Sequence, residues 1–155
     1  MDLAIKRLER GYLLEARTLV SRPPDQVFDF FGNAHNLELL TPPFLRFEIL
    51  TPDPVILREG AIIDYRLRLR GIPVRWRTEI TAWEPPHRFV DIQARGPYRW
   101  WIHEHTFAAR GAATEMTDRV RYGVLGGDII HRLFVAPDLR RIFEYRARQI
   151  GRLLS

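Results

Sequence analysis

From Ala61 onward, apolar and polar residues alternate with period two for about sixty residues, which restricts the chain more tightly than anything else in it. Successive side chains of a strand point to opposite faces, so each parity becomes one face of a sheet. Ile63, Tyr65, Leu67 and Leu69 share one parity, and Asp64, Arg66, Arg68 and Arg70 share the other. Gly71-Ile72 suits a two-residue hairpin turn. That turn predicts Leu69 opposite Val74, Leu67 opposite Trp76, Tyr65 opposite Thr78 and Ile63 opposite Ile80. Glu84 to His87 form the next turn, after which Val90, Ile92 and Ala94 continue the apolar face. Gly96-Pro97 then sets Ile92 beside Trp101 and Val90 beside His103. A last turn over Arg110 to Ala113 pairs Ala109 with Thr114, Phe107 with Met116, His105 with Asp118 and Trp101 with Tyr122. The turns rest on local chemistry alone, yet the inward parities agree, and a one-residue slip would flip a whole strand. Phe89, Trp100 and Ile102 point outward in this register, and exposed apolar side chains of that size suit a homodimer contact.

The flanks are less regular. Tyr12 to Val20 reads as a first strand. Ser21 is a candidate N-cap for a short helix that opens on Pro23-Pro24-Asp25 and carries Val27, Phe28, Phe30 and Phe31. Asn33 can cap a second short helix ending at Leu40, before Thr41-Pro42-Pro43. Phe44 to Leu50 reads as a strand, and Thr51 to Gly60 as a loop. After Gly126-Gly127 the period becomes helical, with Asp128 as a candidate N-cap. Leu139, Ile142, Phe143, Ile150 and Leu153 form an apolar stripe, and Arg140, Arg141, Arg148 and Arg152 fall mostly opposite. Pro137 predicts a kink or break near Val135-Ala136. The expectation is one α+β domain over 1–155. It has an antiparallel sheet of about seven strands, two short helices after strand 1, and a long C-terminal helix covering the apolar face.

Composition narrows the function. Hydrophobic residues make up 46% of the 155, enough for a real core. The chain has no cysteine, which excludes disulfide and thiolate chemistry and fits a reducing, cytoplasmic compartment. No run approaches the ~20 apolar residues of a membrane span, and the charged N-terminal stretch does not read as a signal peptide. The formal charge of +5 invites an anionic partner, either a membrane surface or an acidic protein. The expected register sets Arg66 against Arg77 and Arg68 against Arg75, with Arg95 beside Arg77, so a basic stripe runs along the outer sheet face. Nucleic acid is not expected, because no recognition helix or base-stacking motif accompanies the stripe.

The order of elements, with the segments RTLVSRPPDQVFDFF (17–31), Gly96-Pro97-Tyr98 leading into WIHEHTF (101–107), MTDRV (116–120) and APDLRRIFEYR (136–146), resembles the START/Bet v1-like, or SRPBCC, superfamily. The bacterial cyclase/dehydrase-like subgroup is the nearest in character. The resemblance implies a helix-grip fold, in which a curved sheet wraps the C-terminal helix and leaves a cavity between them. It also implies an apolar ligand such as a lipid or polyketide, or a cyclisation or dehydration reaction. No Gly-x-Gly-x-x-Gly follows a strand, so a dinucleotide is not expected, nor is any other cofactor.

The candidate chemistry lies on the inward parity. His103 and His105 share a face, with Asp118 opposite His105 to orient an imidazole for acid–base work. The same trio can supply two nitrogens and an oxygen to a metal, but no third histidine is near and none is expected. Tyr65, Leu67, Trp76, Trp101, Tyr122 and Phe143 are expected to line the cavity, and Arg99 to sit at its mouth. Three readings stand. The first is a binding protein for an apolar or aromatic small molecule. The second is a cyclase/dehydratase-type enzyme using His103, His105 and Asp118. The third is an interaction module that uses the basic outer face.

Overall fold

The computed structural model describes all 155 residues, Met1–Ser155. Eight strands form one antiparallel sheet. They are β1 (Asp2–Arg7), β2 (Tyr12–Val20), β3 (Glu48–Ile49), β4 (Ile62–Leu69), β5 (Ile72–Glu84), β6 (Arg88–Arg95), β7 (Trp100–Arg110) and β8 (Ala113–Gly123). Their spatial order is β1-β2-β8-β7-β6-β5-β4-β3. The short helices α1 (Pro24–Phe31) and α2 (Asn36–Leu40) follow β2. A C-terminal helix runs over 127–153 as α3 (Gly127–Ile130), a wide π-type turn (His131–Val135) and α4 (Ala136–Leu153). This is the helix-grip architecture.

Several elements differ from the sequence expectation. Asp2–Arg7, where the sequence pattern marks no strand, is extended because its backbone pairs with β2 from Asp2–Arg17 to Arg7–Tyr12. Of Phe44 to Leu50 only Glu48–Ile49 is extended, since Pro43–Leu45 closes a 3₁₀ turn. The N-cap of α1 is Pro23, not Ser21, and the helix has no side-chain cap. Gly126 stands at the N-cap of α3, and Asp128 instead accepts the Tyr12 hydroxyl and pairs with Arg7 at 2.9 Å. The N-cap of α2 is His35 rather than Asn33, and no side chain caps it; Asn33 Oδ1 accepts the His35 N–H at 3.1 Å just ahead of the helix. Pro137 falls in the first turn of α4, so the irregularity expected near Val135-Ala136 is absorbed by the π-type turn.

The β7–β8 register is as expected, including His105 opposite Asp118 and Trp101 opposite Tyr122. Between β4 and β5 the turn is Arg70-Gly71, not Gly71-Ile72. Both residues have positive φ (50° and 81°), the type I′ geometry that matches strand twist. Leu69 therefore faces Ile72, Leu67 faces Val74, Tyr65 faces Trp76 and Ile63 faces Thr78. The shift is two places, so each side chain keeps its face and only its partner changes. The β5–β6 ladder has register shifts at Ile80/Ala82 and Arg77/Thr78. The residue inserted at Thr81 reverses the alternation. Phe89 consequently faces inward opposite His105, and Asp91 lies opposite His103. Ile92 pairs with Ile102 and not with Trp101, and Val90 pairs with Glu104.

The core has two parts. One gathers Trp76, Trp101, Tyr122, Leu139 and Phe143, and the other Phe28, Phe31, Phe89, Phe107, Met116 and Ile150. His103 packs near Trp101 and Phe143 of the first, and His105 near Phe31 and Phe89 of the second. The polar groups thus sit at the seam between two apolar clusters. Trp100 points outward as expected but lies against Gly123, where a Cβ would be 2.6 Å from its ring.

Candidate functional site

A cavity of about 190 Å³ lies between the sheet and α4. The sheet contributes Tyr65, Leu67, Trp76, Thr78, Phe89, Asp91, Trp101, His103 and His105, and α4 contributes Leu139, Phe143 and Arg146. Of the expected lining residues, Tyr65, Leu67, Trp76, Trp101 and Phe143 are in the wall. Tyr122 is not. It is fully buried behind Trp101 and its hydroxyl is 2.7 Å from His131 Nε2. Arg99 is also absent from the wall and exposed. Gly96 to Arg99 is a bend rather than a strand, so parity counting has no meaning there, and the neighbouring Tyr98 turns inward instead.

One end of the cavity is polar. The His103 and His105 rings stack at 3.6 Å, and Phe89 covers His105 at 3.9 Å. Asp118 lies behind the rings, outside the cavity wall. Its Oδ1 lies 2.8 Å from His103 Nε2, 3.2 Å from His105 Nδ1 and 3.0 Å from Arg146 Nη2, and that Nη2 is also 3.4 Å from His105 Nδ1. Asp91 lies on the cavity side, 2.7 Å from His105 Nε2 and 4.0 Å from His103 Nδ1. Each ring therefore spans two carboxylates, one lining the cavity and one behind it.

Burial sets the electrostatics and the pairs correct it. At Asp118 burial favours the neutral acid, but the Arg146 charge and the bonds to both histidines hold its pKa well below the usual carboxylate range. At Asp91 burial again raises the pKa, and the His105 bond with the surrounding cations brings it down. Burial and the neighbouring His105 charge keep the His103 pKa low. At His105 burial works the same way, but the bonds to Asp118 and Asp91 outweigh it and the pKa is raised. With His105 protonated, two carboxylates, one guanidinium and one imidazolium sum to zero, a neutral set suited to a buried site.

Asp91 and Arg146 were not foreseen. Asp91 was hidden by the inserted residue at Thr81, which exchanged the faces of β6. Arg146 carried a readable signal, because it sits three residues after Phe143 and four before Ile150, inside the apolar stripe. The expected outer stripe is also shorter than the sequence suggested. The two-place shift sets Asp64 opposite Arg77, which it pairs at 2.8 Å, while Arg66 pairs with Glu48 at 2.8 Å and faces Arg75. Arg77 does lie beside Arg95.

The sequence profile of the family described as polyketide cyclase/dehydrase and lipid transport matches residues 13–154. The chain belongs to this family. Membership places it in the START/Bet v1-like (SRPBCC) superfamily, and solved structures agree on the fold. Protein Ms6760 from Mycobacterium smegmatis has a TM-score of 0.72 at 19% identity, covering 99% of this chain and 96% of that one. Ginseng major latex-like protein 151 from Panax ginseng gives 0.68 at 13% identity, covering 92% and 96%. The ZhuI aromatase/cyclase from Streptomyces sp. R1128 gives 0.69 at 14% identity, covering 89% and 90%. No curated protein sequence matches the chain. No helix of this family member is long and apolar enough to cross a membrane.

Proposed function

We propose that the protein binds an apolar, ring-bearing small molecule of the polyketide or lipid kind, with an oxygen-bearing end turned toward His103, His105 and Arg146. The observation that carries this reading is the cavity itself, aromatic along its length and polar at one end. Two of its wall residues also hold buried donors without partners, the indole N–H of Trp76 and Nε of Arg146. A ligand oxygen would relieve either one, and a buried unpaired donor costs about 1–3 kcal/mol. The membership of a polyketide cyclase/dehydrase and lipid transport family supports the same class of ligand.

The test uses anilinonaphthalene sulfonate, a fused-ring anion, as probe. Binding should appear as quenching of Trp76 and Trp101 fluorescence. Leu67→Phe pushes a ring into the cavity and should weaken binding about tenfold or more while the protein stays folded. Unchanged affinity in that variant would place the probe elsewhere and remove the pocket reading.

A second reading, a cyclase/dehydratase-type enzyme, is favoured by the two imidazoles lying within hydrogen-bond reach of carboxylates at the cavity's polar end. In it His105, oriented by Asp118, exchanges a proton with an enolisable ligand, and His103 assists. His105→Gln should then keep ligand binding and lose turnover of a poly-β-ketone substrate. Arg68, Arg75 and Arg95 remain exposed on the outer face. Ligand exchange at an anionic membrane surface inside the cytoplasm would use them, and salt-sensitive binding to anionic vesicles tests that role.

A further inference from the structure

We propose that Asp91, His103 and His105 form a three-ligand site for a divalent first-row transition-metal ion, with its open positions facing the cavity. One donor atom from each residue lies within 4.8 Å of the other two. Asp91 Oδ2 is 2.7 Å from His105 Nε2 and 4.0 Å from His103 Nδ1. An ion bound at about 2.1 Å holds its donors about 3 to 4 Å apart, so a small closure of the side chains suffices.

Asp118 decides which atoms are free to bind. It contacts the opposite nitrogen of each ring, His103 Nε2 at 2.8 Å and His105 Nδ1 at 3.2 Å. When those two nitrogens carry the protons, the lone pairs left over are on His103 Nδ1 and His105 Nε2, on the Asp91 side. Metal-binding histidines are held in this way, with the far N–H donated to a carboxylate that fixes the tautomer and the ring plane. Arg146 Nη2 lies 3.0 Å from Asp118 Oδ1 and 3.4 Å from His105 Nδ1, so that oxygen is already engaged by a guanidinium and an imidazole. The metal trio readable in the sequence used Asp118, and the geometry puts Asp91 in its place. Two imidazoles and one carboxylate suit zinc, cobalt(II) or iron(II).

All three proposed ligands line the cavity and Asp118 does not. Open coordination positions therefore face the place where the proposed ligand's oxygen lies. In that role the inference rests on the binding reading above, whereas the ion site itself does not. With an ion bound, the imidazoles are ligands and no longer proton carriers. The site then polarises a carbonyl or holds an enolate by its charge.

The experiment titrates chelator-treated full-length protein with Co²⁺, then Zn²⁺, with no organic ligand present. One ion per chain is expected. Asp91→Asn should weaken binding at least about tenfold, and Asp118→Asn by about 10–100-fold through loss of ring orientation. His35→Ala removes the exposed cluster of His35 with Asp53 and Glu38, and should change nothing at this site. Should the buried variants fail to fold, the wild type still decides. Its Co²⁺ form should show two exchangeable imidazole N–H resonances with large paramagnetic shifts, one from each ring. No binding beyond a His35-dependent site, an unaffected Asp91→Asn variant, or the absence of those two resonances would each overturn the proposal. The naphthalene probe, titrated on metal-free protein, reads the pocket separately, so the two failures are told apart.

Discussion

Asp118 is buried, and three protein nitrogens lie within 3.2 Å of its Oδ1. Its charge is tolerated because Arg146 reaches it from the helix and both imidazoles reach it from the sheet. Removing one partner of such a buried set leaves an uncompensated charge, which costs about 3–5 kcal/mol. Arg146→Met should lower the unfolding free energy by about that amount in urea titrations, and adding Asp118→Asn should recover part of it. A second buried group gives a pH prediction. His131 stacks on Tyr12 at 3.5 Å and meets the Tyr122 hydroxyl at 2.7 Å. Burial lowers its pKa below the ordinary 6.5. The unfolded chain then binds more protons below that value, so the stabilisation is complete above about pH 6.5 and is lost as the pH falls beneath it. His131→Phe keeps the stack but strands the Tyr122 hydroxyl. It should be less stable than wild type at pH 7, with the gap narrowing toward pH 5 in denaturant titrations. The proposed His103, His105 and Asp118 constellation was readable because all three lie in one hairpin, where a single turn sets the pairing. Asp91 lies one hairpin away across an inserted residue, and Arg146 arrives from the helix, so local pattern alone could not bring either one in.

At the scale of elements, turn chemistry determined whether the pairing was legible. The β7–β8 turn was located correctly and every pair followed. At β4–β5 two turns compete, and the chain takes the one with positive φ at both Arg70 and Gly71. Arg70 bears that conformation while its guanidinium pairs with Asp138 at 2.9 Å and lies over Phe134. Glycine matters most where strands meet rings. Trp100 lies so close to Gly123 that a methyl group there would meet the ring at 2.6 Å. Gly123→Ala should cost about 1–3 kcal/mol by overpacking. Combining it with Trp100→Leu should recover some of that loss in thermal melts. The C-terminal helix was legible from its stripe, and Pro137 marked the place where its hydrogen bonding changes.

For the whole molecule, the grip of sheet on helix sets what binding can do. The sheet ends on one side in a two-residue strand, β3, and on the other in β1, which carries Lys6 and Arg7. Short or charged edges of this kind resist edge-to-edge pairing. The cavity is a gap that neither core cluster closes, so a ligand filling it stabilises the folded state alone. At a free concentration one hundred times its Kd, a cavity ligand should add about 2.7 kcal/mol to the unfolding free energy. A thermal melt of wild type should show that gain, and Leu67→Phe should lose most of it.

Much of the architecture follows from local physics. Alternation over sixty residues forces strands, glycine and proline place most turns, and a stripe at helical spacing demands a face to cover. Those signals act over neighbouring residues, so a linear reading captures the α+β class, the eventual position of the helix and the inward side of most strands. Contacts that depend on the exact count of residues between distant segments are different. One inserted residue at Thr81 turned Phe89 and Asp91 inward, and the crossing of α4 carried Arg146 to Asp118. The cavity and its charge balance arise only when sheet and helix close on each other, because burial is a property of the packed whole.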